Sequence, residues 1–165
     1  MQILTGVLTV SDRGARGERA DESGPVLREL LLTRLSGAEV THTAIVPDER
    51  AQIAETLFAW CEAGLHLIFT TGGTGFAPRD VTPEAVRSII ERDAQGLALA
   101  MLQASLLKTP HAMLSRPVAG IRGHTLIITF PGSPKACREN FETILPALLH
   151  GLELLNNAAG ADERH

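Results

Sequence analysis

Short apolar runs alternate along this chain with stretches whose apolar residues recur at helical spacing. The short runs predict strands over residues 3–10, 39–46 and 65–71, and a strand–turn–strand unit over 118–130. The stretches with helical spacing lie between these strands. The order strand–helix–strand–helix–strand–helices–strand–helix predicts an α/β protein with a single domain. Its sheet is expected to be mostly parallel, with helices on both faces.

The predicted helices begin and end at residues that typically cap or interrupt helices. Asp21 or Ser23 is expected to cap the first helix, and the hydroxyl of Thr82 to cap the third. Pro146 falls inside the last predicted helix, so we expect a kink or a break there. The domain is predicted to span residues 1–155, followed by a frayed polar tail over 156–165. The first helix is predicted over about 21–36. The second carries Ile53, Leu57, Phe58 and Trp60 and ends at Gly64. The other three are predicted from residue 82, over about 96–108 and over 135–155.

Composition and charge exclude several classes of function. The chain has 165 residues, of which 44% are hydrophobic and 21% charged, as expected for one globular domain. The chain contains 15 Lys and Arg residues and 19 Asp and Glu residues, which gives a formal net charge of -4 at pH 7. This charge balance lacks the excess of basic residues that is typical of nucleic-acid-binding proteins. An aromatic content of 4% also disfavours a protein that binds its ligand by stacking on aromatic side chains.

No segment of the sequence predicts secretion or insertion in a membrane. The first residues enter a strand pattern without a basic region or a cleavage site, and no apolar run reaches membrane-spanning length. Cys61 and Cys137 are far apart in the sequence, show no metal-ligand spacing, and are expected to be buried reduced thiols. We therefore expect a cytoplasmic protein.

The loops that follow the predicted strands differ from the loops that precede them. Ligands of open parallel sheets bind beyond the carboxyl ends of the strands. The four loops at these ends, over 11–17, 47–49, 72–80 and 131–135, are rich in glycine, proline, hydroxyl groups or carboxylates. Loops at the opposite edge, such as 36–38, are short and carry little chemistry. The difference predicts one functional edge of the sheet.

The segment 70–75, Thr-Thr-Gly-Gly-Thr-Gly, is the strongest single candidate for a ligand-binding loop. Glycines let the backbone approach a ligand and turn its N–H groups towards an anion, and threonine hydroxyls add donors. The segment matches neither the P-loop pattern nor the dinucleotide fingerprint. A structural turn without a ligand remains the alternative.

Two carboxylates follow neighbouring strands at this edge. Asp48 and Asp80 are suited to hold Mg²⁺ together with phosphate oxygens, since Mg²⁺ usually takes one or two carboxylates plus substrate phosphates. As alternatives, Asp48 caps the helix that follows it, and Asp80 is an ordinary loop residue or a cap near Thr82. The segment 131–135 opens the last helix and predicts either an anion site or a plain turn.

The segments named so far resemble the molybdopterin adenylyltransferase family, of the MogA and MoaB type. The resemblance rests first on the glycine segment joined to Arg79-Asp80-Val81-Thr82-Pro83-Glu84-Ala85, and it covers the chain from about residue 4 to 155. Further segments agree in order and spacing: Ser11-Asp12-Arg13, Pro47-Asp48-Glu49, Met113-Leu114-Ser115-Arg116, Ala119-Gly120-Ile121-Arg122 and Pro131-Gly132-Ser133-Pro134.

The resemblance implies a molybdopterin-binding α/β fold, usually a homotrimer, that acts in molybdenum cofactor biosynthesis. ATP and molybdopterin are the implied substrates, Mg²⁺ is the implied cofactor, and the products are adenylylated molybdopterin and pyrophosphate. An enzyme of the MoeA type, which inserts molybdate, is the implied partner. The positions that match Asp48 and Asp80 are implied to be essential for transfer and metal binding, and Ser115 and the glycine loop to contact the ligands.

The residues and the resemblance together give a set of expected site residues. Asp48 and Asp80 are the expected catalytic and metal-binding residues, and Arg79 or Lys135 is expected to neutralise the pyrophosphate. Two alternatives remain: a molybdopterin-binding protein without catalysis, and a hydrolase of nucleotide derivatives on a related fold. The expected substrate-binding residues are Ser11, Asp12, Thr71, Gly72, Gly73, Thr74, Gly75, Arg79, Ser115, Gly132, Ser133, Pro134 and Lys135.

Overall fold

A computed structural model describes residues 1–157 of the chain. Its six strands are β1 (Ile3–Val10), β2 (Ala38–Val46), β3 (Leu67–Thr71), β4 (Arg92–Asp93), β5 (Ala119–Arg122) and β6 (Thr125–Phe130). Its six α-helices are α1 (Asp12–Ala15), α2 (Ser23–Arg34), α3 (Arg50–Glu62), α4 (Thr82–Arg87), α5 (Gln95–Leu106) and α6 (Pro134–Leu155). A 3-10 helix, Pro110–Leu114, follows α5.

The strands form one sheet in the order β2-β1-β3-β6-β5-β4. The pairs β1–β2, β1–β3 and β3–β6 are parallel, whereas β5 pairs antiparallel with β6 and with β4. The predicted mostly parallel sheet is thus confirmed. The predicted turn between β5 and β6 is present too, and Gly123 takes a φ of 53° in it.

Alternate residues of the buried strands face two separate cores. Phe69 of β3 belongs to the core covered by α2, α5 and α6, while its neighbour Ile68 belongs to the core covered by α3 and α4. Ile127 and Ile128 of β6 divide in the same way. Because both faces are covered, every residue of these two strands is buried, the apolar residues and the threonines alike. The prediction of helices on both faces is confirmed.

Some local predictions differ from the structure. Residues 12–14, expected to belong to a loop, form most of the single helical turn α1, and β3 begins at Leu67 rather than residue 65. Asp21 caps α2 as expected, since its Oδ1 accepts a hydrogen bond of 3.0 Å from the amide of Gly24. Thr82 does not cap α4; its hydroxyl donates to the carbonyl of Gly72 at 3.0 Å. Cys137 is buried and unpaired, but Cys61 is only partly buried.

Of the kink or break expected at Pro146, the break is wrong, because α6 runs without interruption from Pro134 to Leu155. Pro146 lies on the exposed face of this helix, where water can bind the backbone carbonyl that the missing N–H leaves unpaired. Ile144, Leu148 and Leu152 pack into the core on the other face and hold the helix together. The predicted tail falls mostly outside the described residues; Asn156 and Asn157 form a turn after α6.

The three parallel pairings bring the carboxyl ends of β1, β2, β3 and β6 to one edge of the sheet. Thr9 pairs with Thr71, Val10 with Val46, and Thr71 with Phe130. The loops that follow these strands therefore lie side by side. Within residues 1–157, no helix is long and apolar enough to cross a membrane.

Candidate active site

A cleft of about 570 Å³ opens at the carboxyl edge of the four parallel strands. Both predicted carboxylates, Asp48 and Asp80, line this cleft. Of the other predicted site residues, those that also line it are Ser11, Thr71, Gly72, Gly73, Gly132, Ser133 and Pro134. Four separate loops thus converge on one cavity, as the strand order requires.

Asp48 is held by a reciprocal pair of hydrogen bonds with Asp12. The amide of Asp12 donates to Oδ2 of Asp48 at 2.8 Å, and the amide of Asp48 donates to Oδ1 of Asp12 at 3.0 Å. This pair joins the loop after β1 to the loop after β2. Asp48 does not cap α3, whose N-terminal residue Glu49 makes no capping hydrogen bond through its side chain. The carboxylate of Asp48 is therefore left to face the cleft.

The electrostatic environment of Asp48 disfavours its charged form. Burial raises the pKa of Asp48 above its ordinary value, and the neighbouring charges of Asp12 and Asp80 raise it further. A bound cation would relieve this cost by stabilising the ionised carboxylate. The raised pKa therefore suits a residue that binds a metal ion.

Asp80 completes a tight turn that follows the glycine loop. Its Oδ2 accepts a hydrogen bond of 3.0 Å from the amide of Ala77, and its own amide donates to the carbonyl of Ala77 at 2.9 Å. A Cβ atom on Gly75 would lie 2.7 Å from this Oδ2, so the carboxylate packs against a residue without a side chain. Asp80 does not cap α4, whose N-terminus shows no capping bond from a side chain.

The two carboxylates fit a magnesium site that a substrate completes. In residues 1–157, no three His, Cys, Asp or Glu side chains are grouped so that they hold a metal ion by themselves. Mg²⁺ is usually bound by one or two carboxylates, with phosphate oxygens and waters as the remaining ligands. Asp48 and Asp80 line the same cleft and their charges interact, so these two carboxylates could serve as the protein ligands of such an ion.

Two glycines of the loop occupy conformations and spaces that exclude a side chain. Gly72 has a φ of 95°, and a Cβ atom there would lie 2.3 Å from the carbonyl oxygen of Val10. Gly73 has a φ of 67°, and its Cβ atom would lie 2.3 Å from Oγ1 of Thr82. The loop is therefore pressed against the end of β1 and the start of α4.

The amides of the glycine loop differ in their availability for a ligand. The amide of Gly72 donates to the carbonyl of Phe130 at 3.1 Å, so our expectation that it binds phosphate is not met. The amides of Gly73 and Gly75 have no hydrogen-bond acceptor in the described part of the chain. Gly73 lines the cleft, and its backbone N–H group is available to donate a hydrogen bond to a ligand.

Thr71 and Thr74 of the glycine loop are buried and form hydrogen bonds within the protein. Thr71 is fully buried, and its hydroxyl donates to the carbonyl of Pro131 at 2.7 Å. Thr74 is also buried, and its carbonyl accepts a hydrogen bond from the amide of Arg116 at 2.9 Å. The hydroxyl of Thr71 thus ties the floor of the cleft to the turn before α6.

Arg116, which the sequence did not single out, fastens the glycine loop. Its Nε donates to the carbonyl of Gly75 at 2.9 Å, and a terminal guanidinium nitrogen donates to the carbonyl of Asp80 at 2.7 Å. It also forms an ion pair with Glu84 of α4. This guanidinium therefore fixes both ends of the segment that carries Asp80. The sequence position of Arg116 beside Ser115 gave no sign of this role, because its partners, two backbone carbonyls and Glu84, are far from it in the sequence.

Arg79, expected to contact substrate, pairs with carboxylates outside the cleft lining. Its guanidinium binds both oxygens of Asp12, at 2.6 and 3.0 Å, and Oε1 of Glu49 at 2.8 Å. The hydrogen bond from Arg79 lowers the pKa of Asp12. Arg79 therefore keeps Asp12 ionised and in place, and Asp12 in turn holds the backbone of Asp48.

Ser115 and Lys135 line a second cleft of about 440 Å³ beside the first. This cleft lies between the 3-10 helix and the start of α6, and Ser133 lines both clefts. The hydroxyls of Ser11 and Ser133 accept hydrogen bonds from the first turns of α1 and α6, so each serine caps a helix. Most of the predicted residues thus lie in one of two adjoining cavities, whereas Asp12, Thr74, Gly75 and Arg79 line neither.

Residues of the segment 19–23 also line the first cleft, and the sequence predicted none of them as a ligand contact. Asp21 was expected only as a helix cap. Its second oxygen accepts a hydrogen bond of 2.7 Å from the hydroxyl of Thr9. One side of the cleft is therefore formed by segment 19–23, for which the sequence pattern predicted no contact with a ligand.

Comparison with known proteins assigns the chain to a family. Residues 6–150 match the family profile described as a probable molybdopterin binding domain. The chain belongs to this family. The match covers every strand-end loop of the molybdopterin-binding domain, and the expected family resemblance is confirmed.

The relatives of this molybdopterin-binding domain include both longer and similarly sized proteins. Gephyrin of Dictyostelium discoideum is 48% identical over 93% of this chain, which spans only 23% of gephyrin. The molybdopterin adenylyltransferase of Helicobacter pylori strain J99 is 42% identical over 93% of this chain and 88% of its own length. The crystal structure of the molybdopterin biosynthesis enzyme MoaB of Thermus thermophilus has a TM-score of 0.88 and 49% identity, covering 94% of this chain and 98% of that one.

Proposed function

We propose that this protein is a molybdopterin adenylyltransferase, which transfers AMP from ATP to the terminal phosphate of molybdopterin and releases pyrophosphate. The observation that carries the proposal is the convergence of Asp48, Asp80 and the free amide of Gly73 on one cleft. The relative from Helicobacter pylori that carries this name matches the chain over most of both lengths. The activity of the longer relatives is a weaker guide, since this chain spans only a part of them.

The reaction needs the protein mainly for positioning and charge neutralisation. An oxygen of the molybdopterin phosphate bonds to the α-phosphorus of ATP, and the bond from this phosphorus to the bridging oxygen of the leaving pyrophosphate breaks. Asp48 and Asp80 would hold Mg²⁺, which supplies positive charge to the phosphate oxygens. The free amide of Gly73, which lines the cleft, would donate a hydrogen bond to a phosphate oxygen. Ser115 and Lys135 lie at the second cleft, which accommodates the remainder of the substrate pair.

Assembly and location belong to the same proposal. We propose a homotrimer that acts in the cytoplasm and passes its product to an insertion enzyme of the MoeA type. Large apolar side chains on α5, directly after it and on the 3-10 helix expose between 49% and 91% of their surface: Leu99, Leu107, Met113 and Leu114. An apolar surface of this kind supports self-association. The two unpaired cysteines suit a reducing compartment.

The test is pyrophosphate release by purified protein supplied with ATP and Mg²⁺, with and without molybdopterin. We expect release that depends on molybdopterin. Release from the nucleotide alone would replace the proposal with a nucleotide hydrolase. Molybdopterin binding in the calorimeter without any release would leave a binding protein without catalysis.

The roles of the carboxylates are tested by Asp48→Asn and Asp80→Asn, with Glu55→Gln on the exposed face of α3 as the control. Metal ions contribute several kcal/mol to stabilising such transition states, so we expect turnover to fall at least about 100-fold. The Kd of molybdopterin alone should stay within about threefold, because neither residue is expected to bind the pterin. An equal loss of turnover and binding would contradict these roles.

A further inference from the structure

Positive charge is scarce in the cleft that holds Asp48 and Asp80. Its lining includes four carboxylates, those of Asp21, Glu22, Asp48 and Asp80. A polyphosphate carries several negative charges and cannot enter such a cleft without cations to balance them. A metal ion held by Asp48 and Asp80 would supply some of this positive charge, and the protein must supply the rest.

The cations expected from the sequence do not line this cleft. Arg79 is engaged by Asp12 and Glu49, and Lys135 lines the second cleft instead. Arg116 points its guanidinium at the backbone of the glycine loop. Arg19 is the one Lys or Arg residue among the described residues that line the cleft.

The surroundings of Arg19 leave its charge unneutralised. Glu18, its neighbour in sequence, is bound through both oxygens by Arg16, at 2.9 and 3.0 Å. Asp21 is occupied by the hydroxyl of Thr9 and the amide of Gly24. Within residues 1–157, Arg19 forms neither an ion pair nor a side-chain hydrogen bond.

The segment that carries Arg19 is anchored on both sides. Before it, the amide of Glu18 donates to the carbonyl of Arg13 at 2.9 Å. After it, Asp21 is fixed to β1 through the hydroxyl of Thr9 at 2.7 Å. The backbone therefore holds Arg19 at the rim of the cleft, while its side chain stays exposed and free to meet a ligand.

We propose that Arg19 is a substrate-contacting residue that binds phosphate oxygens in the cleft beside Asp48 and Asp80. The planar guanidinium presents paired donors that match phosphate geometry. The inference rests on the proposed function, because that function brings phosphates to this cleft. The oxygens belong either to the polyphosphate of ATP or to the terminal phosphate of molybdopterin.

The test is calorimetric binding of ATP, pyrophosphate and molybdopterin, each measured separately with Mg²⁺ present. Arg19→Gln is compared with Arg92→Gln, which makes the same change of charge at an exposed position of β4 on the far edge of the sheet. One charged hydrogen bond corresponds to roughly a tenfold change in Kd. We expect Arg19→Gln to raise the Kd of at least one ligand by about that factor, with Arg92→Gln unchanged and Arg19→Lys between the two.

The ligand affected identifies the phosphate. Weaker binding of ATP and pyrophosphate assigns Arg19 to the nucleotide, whereas weaker binding of molybdopterin alone assigns it to the pterin phosphate. Unchanged Kd values for all three ligands in Arg19→Gln would overturn the inference and leave the proposed function intact. Loss of ligand binding by Arg19→Gln in a protein that transfers no AMP would instead overturn the proposed function and retain the contact.

Discussion

Replacing Arg116 should separate the stability of the fold from the positioning of the glycine loop. Arg116→Ala removes hydrogen bonds to the carbonyls of Gly75 and Asp80 and an ion pair with Glu84. The side chain is 33% exposed, which lowers the contribution of each bond. A hydrogen bond to a charged group contributes about 1.5–3 kcal/mol when it is well shielded. With the discount for exposure, we expect the free energy of unfolding of Arg116→Ala to fall by about 2–4 kcal/mol.

Arg122 provides a matched control at the opposite end of the molecule. Its side chain is 25% exposed, donates to the carbonyl of Ile89 at 2.9 Å, and lies 4.4 Å from the ring centroid of Phe58. The free energy of unfolding of Arg122→Ala should therefore fall by about 1–3 kcal/mol. At about 2–4 °C for each kcal/mol in a chain of this size, both variants should melt several degrees below wild type.

The two variants should differ in catalysis. Arg116→Ala releases the segment that carries Asp80, and misplacement of a reacting group by about 1 Å can cost on the order of 100-fold in rate. We therefore expect kcat to fall roughly 100-fold in Arg116→Ala and to change little in Arg122→Ala. Arg116→Lys should recover only a part, since one ammonium group cannot reach all three partners. Measured well below both melting temperatures, equal kcat values in the two alanine variants would refute this reasoning.

Three further predictions concern the same edge of the sheet. Gly72→Ala places a methyl group 2.3 Å from a backbone oxygen at a φ of 95°, so its melting temperature should fall by several degrees; Gly151→Ala in open space on α6 should not lower it. Burial raises the pKa of Asp48, so its ionisation opposes folding. Asp48→Asn should melt above wild type at pH 7, and thermal scans should show the difference vanish as pH falls below the ordinary carboxyl range. Arg79 lowers the pKa of Asp12, so the stability that this pair adds is present above the ordinary pKa and is lost in acid. When the pH is lowered from 5 to 3, the melting temperature of Asp12→Asn should therefore fall less than that of wild type.

The arrangement of the site follows largely from features that a sequence pattern records. A nearly continuous apolar run such as the one that enters β3 indicates a strand covered on both faces, and parallel order brings the carboxyl ends of such strands to one edge. That geometry is enough to place Asp48 and Asp80 together. The positive φ angles of Gly72 and Gly73 agree with what their residue type permits.

The remaining features depend on contacts between distant segments, which no local pattern records. β4 has two residues and owes its existence to pairing with β5, so periodicity could not predict it. The hydroxyl of Thr71 is indistinguishable in sequence from a ligand donor until Pro131 is placed beside it. Arg79 and Arg19 are two exposed arginines, and only the folded positions of Asp12, Glu49 and Glu18 show which of them is already paired.

Transfer of the α-phosphate of ATP to molybdopterin is the defining step of the proposed reaction and can be followed with a label. The protein is incubated with Mg²⁺, molybdopterin and ATP labelled at the α-phosphorus, and the pterin is separated from the nucleotides. We expect the label on the pterin, with one pyrophosphate released for each label transferred, and no transfer by Asp48→Asn and Asp80→Asn. Label found only in free AMP, with the pterin unlabelled, would show that the protein hydrolyses ATP and is not an adenylyltransferase.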